Sequence, residues 1–345
     1  MKRLLLVLIC LLTAGIVSAQ QDPTWLTYAS PYSPNHPFSR ADQIWMKWVE
    51  RESDGNLHIK PIWSGALISS DHSLLEVRHG VADIAYIAPI YSRGGTHLLR
   101  IQTGFYIGAK TFEQQVAVYR CLAAAFPEYA KEVKGLKILA VQGGPLAGIL
   151  TCSHPVRSLE DLKGLRIRVP TEMLSMMREL GADPISMPMG DVYSALAKEV
   201  IDGVVAPLNT LKALHFAEVA KYYTRIDVPR GAYPSRAMGL KRWKSLSVSQ
   251  RAVLEASIPV WEAAMAKEIE KSDIAGEEEG RRLGVEFISV SPSDQKRFDD
   301  LYITDALKTA KELNRFGIDG EAIFRRTRSI VNNIELTGNV ICGGN

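Results

Sequence analysis

Seven histidines are the first residues to test for acid–base or metal chemistry. His36, His58, His72, His79, His97, His154 and His215 never fall into H-E-x-x-H or a comparable ligand spacing. No metal site and no cofactor are expected. Gly143-Gly144-Pro145-Leu146-Ala147-Gly148 lacks the Lys-Ser/Thr that completes a phosphate-binding loop, and it reads as a turn before a strand. Ser293-Asp294-Gln295-Lys296 has the S-x-x-K spacing of acylating serine enzymes, but Ser293 more simply caps a helix, with Pro292 ending the preceding strand. No G-x-S-x-G elbow occurs, and Cys152 with His154 is not read as a nucleophile–base dyad. With those constellations missing, an enzyme is not expected.

Arg168 is the residue whose position suggests chemistry. It ends a predicted strand, Leu165 to Val169, which Pro170 stops and after which Thr171 opens a helix. The carboxyl end of a strand facing a helix start is where α/β sheets bind ligands. A guanidinium placed there holds a carboxylate through two parallel hydrogen bonds, which fixes orientation as well as charge. Alternation puts Arg166 on the same side, so either arginine could instead serve a surface ion pair.

The elements around it alternate. Trp25–Ser30, Leu57–Trp63, Ala82–Ala88, Leu136–Val141, Leu165–Val169 and Gly203–Val205 read as strands. Ser39–Glu52, with Ile44, Trp45, Trp48 and Val49 on one face, reads as a helix, as do Ser73–His79, Thr111–Ala125, Thr171–Leu180 and Asp191–Glu199. Strand–helix–strand order points to α/β sheets. From Ser249 to Arg282 a helical stretch carries Leu254, Ile258, Trp261, Met265 and Ile269 at steps of three or four, with Pro259 kinking it or marking an early break. Helices over Ser293–Phe316 and Gly320–Asn333 finish the chain. Its 345 residues suit two lobes, yet no Gly- or Ser-rich linker divides them, as expected if strands cross between the lobes and a helix spans both.

Composition and the N-terminus narrow the compartment and partners. Met1-Lys2-Arg3, the apolar run Leu4–Leu12 and the small-x-small site Val17-Ser18-Ala19 predict a signal peptide over residues 1–19 and a periplasmic product. Cys10, following bulky Ile9, is not read as a lipid anchor. Cleavage after Ala19 removes Lys2 and Arg3 and no acid, taking the net charge from +3 to +1, so no nucleic-acid partner is expected. Cys121, Cys152 and Cys342 remain, which allows one disulfide with one thiol left over; the pairing stays open.

The stretch 158–207 carries an ordered set of motifs. They are Ser158–Pro170 (SLEDLKGLRIRVP), Leu180–Pro188 (LGADPISMP) and Gly190–Gly203 (GDVYSALAKEVIDG), continued by Ala217–Tyr223. Together with SDGNLHIKPI and VRHGVADIAYIAP in the first third, this resembles the DctP-type solute receptors of tripartite ATP-independent periplasmic (TRAP) transporters over nearly the whole mature chain. The resemblance implies a periplasmic binding protein-like fold, with two α/β lobes around a ligand cleft joined by crossing strands and a long helix. Its boundaries would give lobe one residues 20–146 and 233–273, and lobe two residues 147–232 and 274–345. It implies a small organic acid as ligand, an integral-membrane permease as partner, and Arg168 as the carboxylate clamp. Around the clamp it implies Thr171 and Met189 lining the pocket, Asp191 and Tyr193 at the start of a helix, and Ala206 at the place of a substrate-touching residue; Asn209 is added as a polar residue of the cleft. From the other lobe, Tyr32 in the loop after the first strand, and Ala88, Pro89 and Tyr91 after the strand ending near Ala88, are expected to face the cleft, while His36 reads as a loop residue rather than a contact.

Two departures bear on the ligand. Ala206 stands where many relatives carry a substrate-touching Asn, and Ile149 and Leu150 stand near the place of a second Arg. One carboxylate can be clamped, but a second carboxylate or a row of hydroxyls would be stranded against Ala206, Ile149, Leu150, Val205 and Met189. The expected ligand is therefore a monocarboxylate with a sizeable apolar or aromatic portion. Asn209 and Arg230 are the polar residues left to compensate.

Overall fold

The computed structural model describes residues 22–92 and 94–343. The predicted signal peptide, residues 1–19, lies outside them. Eleven strands follow in chain order: β1 (Thr24–Ala29), β2 (Leu57–Ile62), β3 (Ile84–Tyr86), β4 (Leu136–Gln142), β5 (Ala147–Thr151), β6 (Arg166–Arg168), β7 (Asp183–Ile185), β8 (Gly203–Ala206), β9 (Tyr222–Val228), β10 (Tyr233–Gly239) and β11 (Glu286–Ser289). They form two sheets, ordered β2-β1-β3-β10-β4 and β11-β9-β5-β8-β6-β7. In the first, β1 runs parallel to β2 and β3, and β10 runs antiparallel to β3 and β4. In the second, β5 is antiparallel to β8 and β9, while β6 lies parallel to β7 and β8. The chain leaves the first sheet after β4, enters the second at β5, and returns between β9 and β10. These two crossings explain why no linker composition marks the boundary.

Strand β10 was not legible as a strand. All seven of its residues are buried, Arg236 and Ser235 included, so it shows neither the polar–apolar alternation of a half-exposed strand nor a pure apolar run. Register shifts on either side of Arg236 in its pairing with β4 mark an irregularity there. Arg236 donates from Nε and Nη2 to both oxygens of Asp42, at 2.7 and 3.1 Å, and its guanidinium lies over the Trp261 ring.

In the helix Pro37–Glu52 the buried stripe is Phe38, Ala41, Asp42, Trp45, Met46 and Val49; Ile44, placed on that face by the sequence, is exposed. The later helical stretch breaks before Pro259: one helix ends at Ala256, and a second, Ile258–Arg282, takes Pro259 in its first turn, where no intrahelical donor is lost. This second helix packs on Pro37–Glu52 and β4 in the first lobe and on the Thr210–Ala213 helix in the second. Gly276 permits that approach, since a Cβ there would sit 2.2 Å from the Leu208 carbonyl oxygen.

The tail divides differently from the expected boundary at 274. Phe298 and Tyr302, early in the helix Pro292–Glu312, join the second lobe's core, while Ala306 and Ala310 join the first. Ile323, Phe324, Ile330 and Val331 of the helix Gly320–Thr337 also pack into the first lobe's core, because this helix lies against the helix Phe112–Ala125. Cys342 then bonds Cys121 of that helix, with Cα atoms 5.2 Å apart, and Cys152 is the free thiol. The cap of Pro292–Glu312 is Ser291 rather than Ser293: its hydroxyl accepts from Asp294 N at 3.0 Å, and Pro292 is the first helical residue.

Candidate functional site

The two arginines of β6 part company. Arg166 forms a bidentate pair with Asp202, at 2.9 and 2.6 Å, on a partly exposed surface. Arg168 is only 1% exposed. Its Nε and Nη2 donate to the Met187 carbonyl at 2.9 and 2.8 Å, and Nη2 also donates to the Tyr91 hydroxyl at 3.0 Å. Met187 follows β7 in the second lobe and Tyr91 follows β3 in the first, so the guanidinium joins the lobes across the cleft. Nη1 makes no hydrogen bond among the described residues.

Two small adjoining cavities occupy the cleft, sharing Tyr91, Met189, Pro207 and Arg230 in their walls. The first also presents Arg168, Glu172, Thr103, Val205 and Tyr233. The second is bounded by Tyr32, His36, Phe38 and Tyr86 from the first lobe and by Asn209 from the second. Here Tyr32 meets Tyr86 edge-on at 5.3 Å and stacks on His36 at 4.1 Å, making an aromatic wall. A larger, more open hollow of ≈ 670 Å³, lined by Arg78, Lys131 and Lys134 among others, lies on the first lobe and includes none of the cleft residues named above.

Of the residues singled out in the sequence, Arg168, Met189, Asn209, Tyr32 and Tyr91 line these cavities. Thr171 lines a neighbouring opening of the cleft, with its hydroxyl 3.0 Å from that of Ser186. Ala88 and Pro89 are buried behind Ile90 and Tyr91 and line neither cavity. Leu150 packs into the second lobe's core, and Ala206 is buried in β8, its carbonyl accepting from Tyr223. Asp191 is exposed and makes no capping bond, and the Tyr193 hydroxyl donates to Glu218. Strand β5 thus turns Ala147, not Ile149 or Leu150, toward the cavity. His36, expected to be a mere loop residue, lines the second cavity and caps the helix Pro37–Glu52 by accepting from Phe38 N. Burial and then Arg40 and Arg236 lower its pKa to about 3, so the ring is neutral at physiological pH. His154 is exposed, and burial pushes the Cys152 thiol up, away from nucleophilic use.

Two charged residues in the first cavity were undervalued in the sequence. Arg230 sits on the crossing from β9 to β10, between Pro229 and Gly231, and Gly144 on the other crossing lets its stem lie close: a Cβ at 144 would be 3.0 Å from Arg230 Cγ. Its Nη2 donates to the Tyr233 hydroxyl at 3.1 Å, and its Nε is buried without a partner. Glu172, in the turn after Pro170, is 8% exposed, and its Oε2 is buried without a partner. Burial raises its pKa, while Arg168 and Arg230 are among the groups that pull it back. The acceptors held by Arg168 and Arg230 are carbonyl and phenol oxygens, not carboxylates. A Pro-Arg-Gly run between two strands was the available signal for Arg230. Glu172 had none.

Asn209 is tied to the helix spanning both lobes, because its N–H donates to Asp273 Oδ1 at 3.1 Å. Burial raises Asp273 to about 6. A carboxyl whose pKa is higher folded than unfolded stabilises the fold, relative to its charged form, below the unfolded value, and that contribution is lost as pH rises through the folded value. Asp273→Asn keeps an acceptor without the charge. Its melting temperature should therefore exceed that of the wild type near pH 7.5 and converge with it near pH 4; thermal unfolding followed by circular dichroism at both pH values checks this.

The fold matches known proteins. A crystal structure of a TRAP solute-binding protein from Rhodoferax ferrireducens T118, in complex with copurified benzoate, superposes with a TM-score of 0.81 at 20% identity, covering 92% of this chain and 100% of that one. A second, from Chromohalobacter salexigens with bound D-glucuronate, has a TM-score of 0.74 at 19% identity, covering 89% and 99%. The uncharacterized protein YiiZ of Salmonella typhimurium is 32% identical over 46% of this chain and 49% of its own length, so this chain spans about half of that curated relative. The model of the bacterial extracellular solute-binding proteins, family 7, matches residues 28–311. The chain belongs to that family, whose members are solute receptors rather than enzymes.

Proposed function

We propose that this chain is the periplasmic substrate receptor of a TRAP transporter, closing on an organic acid and passing it to an integral-membrane permease. The observation that carries this reading is Arg168: a guanidinium buried between the lobes, with carbonyl and phenol acceptors but no carboxylate, and with Nη1 left to donate. A buried cation of this kind calls for an anion, and the planar fork suits a carboxylate. An anion touching both lobes favours the closed form and couples capture to hinge motion.

The same fold holds benzoate in one neighbour and D-glucuronate in another, so the lining must decide the ligand. Met189, Val205, Tyr32, Phe38 and Tyr86 offer an apolar and aromatic body. They favour a monocarboxylate with a sizeable aliphatic or aromatic portion over a C4-dicarboxylate or a sugar acid. A thermal-shift screen across these four classes tests the reading. Aromatic and aliphatic monocarboxylates should raise the melting temperature most, and stabilisation by succinate or sialic acid alone would overturn the ranking.

A further inference from the structure

Glu172 and Arg230 present complementary unmet needs in one cavity. Among the described residues, Glu172 Oε2 is an acceptor with no donor, and Arg230 uses only Nη2 among its nitrogens, leaving Nε buried and unpaired. Both side chains line the cavity that contains Arg168, and Arg230 lies near enough to act electrostatically on Glu172. Groups buried in this way cost stability until a partner arrives, so their partner identifies itself by chemistry.

A second carboxylate would satisfy Arg230 but face Glu172 with like charge. An ammonium would satisfy Glu172 and be repelled by Arg230. A ketone would leave Glu172 without a donor. A hydroxyl both donates and accepts, so one oxygen can serve both residues.

We propose that Glu172 and Arg230 form a hydroxyl-recognition subsite beside the Arg168 clamp, and that the ligand is a hydroxy-substituted monocarboxylic acid. This rests on the reading of the cleft as an organic-acid site. The two charged groups oppose each other around the hydroxyl, leaving Arg168 to balance the single carboxylate. A ligand without the hydroxyl strands a buried donor and acceptor, whose penalty of about 1–3 kcal/mol per group corresponds to roughly five- to 150-fold in affinity for each.

Calorimetric titration with matched pairs tests this: phenylacetate against mandelate and 3-hydroxyphenylacetate, and benzoate against its three monohydroxy isomers. For the wild type, at least one hydroxylated acid should bind about tenfold or more tighter than its parent. In Glu172→Leu the ratio for that pair should collapse to within about threefold. If that variant does not fold, Arg230→Met should lower the same ratio. A wild type that binds every parent as tightly as its hydroxylated forms, or a preference that survives in the folded variants, would overturn the subsite while leaving the organic-acid reading in place. Failure of every acid to bind would overturn that reading and the subsite with it.

Discussion

Arg168→Ala is expected to lower the affinity for the organic acid by about a hundredfold or more while the protein stays folded. The side chain lies at the carboxyl end of β6, is 1% exposed, and is held by the Met187 carbonyl from one lobe and the Tyr91 hydroxyl from the other. A carboxylate bound there gains charge-assisted hydrogen bonds in a desolvated cleft, whose loss amounts to a few kcal/mol. Arg168→Lys should stay severely impaired, because an ammonium cannot keep the Met187 and Tyr91 contacts and present a planar fork to the ligand. Titration calorimetry of both variants, with far-UV circular dichroism to verify folding, checks the expectation. Near-wild-type affinity in the alanine variant would make Arg168 a strut between the lobes and nothing more.

Arg236→Met should cost about 3–5 kcal/mol of folding stability, read from denaturant unfolding. Asp42 is fully buried and accepts from four donors: Arg236 Nε and Nη2, the Tyr28 hydroxyl at 2.5 Å, and Trp261 Nε1 at 2.8 Å. Tyr28, Asp42, Arg236 and Trp261 come from β1, the helix Pro37–Glu52, β10 and the helix Ile258–Arg282, so one carboxylate fastens the first lobe's sheet to these two helices. Removing the guanidinium strands a charge in a place water cannot reach, and such a charge costs more than the intact pair contributes. Asp42→Asn in the Arg236→Met background should recover part of the loss, since an amide still accepts from Tyr28 and Trp261 without a buried charge. Equal instability in the single and double variants would mean that packing around residue 236, rather than charge, carries the effect.

Much of the architecture was legible where one face of an element meets water. The stripe through Leu254, Trp261, Met265 and Ile269 is buried as its spacing implies, and Pro259 falls in the first turn of the second helix. Legibility failed where burial is complete. Strand β10 sits between two neighbours with every residue covered, and its Arg236 is a core residue only because Asp42, 194 positions earlier, is placed beside it. The tail serves both lobes, with β11, Phe298 and Tyr302 in the second and Ala306, Ala310 and the helix Gly320–Thr337 in the first, because an amphipathic helix declares that it has a buried face but not which core will receive it.

At the cleft, local grammar exposed Arg168, because a short strand ending in proline before a helix start is a binding geometry that one segment encodes. Met189 followed from the family resemblance, Tyr32 and Tyr91 from their places after strands and Asn209 as a polar residue near them, and all four line the cavities. Leu150 and Ala206 did not, since inward and outward positions in β5 and β8 depend on a register that the sequence does not print. Glu172 looked like an ordinary acid at a helix start, where such charges are commonplace. Its burial comes from segments distant in sequence, residues 97–106 and the helix Pro292–Glu312, that pack on its turn.

A crystal structure of the protein with the acid that it retains through purification, or with the acid that stabilises it most, tests the central claim most directly. The bound carboxylate is predicted to accept from Arg168, with the apolar body of the ligand against Tyr32, Tyr86 and Met189. A ligand without a carboxylate, or one whose carboxylate sits away from Arg168 in the hollow beside Arg78 and Lys134, would contradict it.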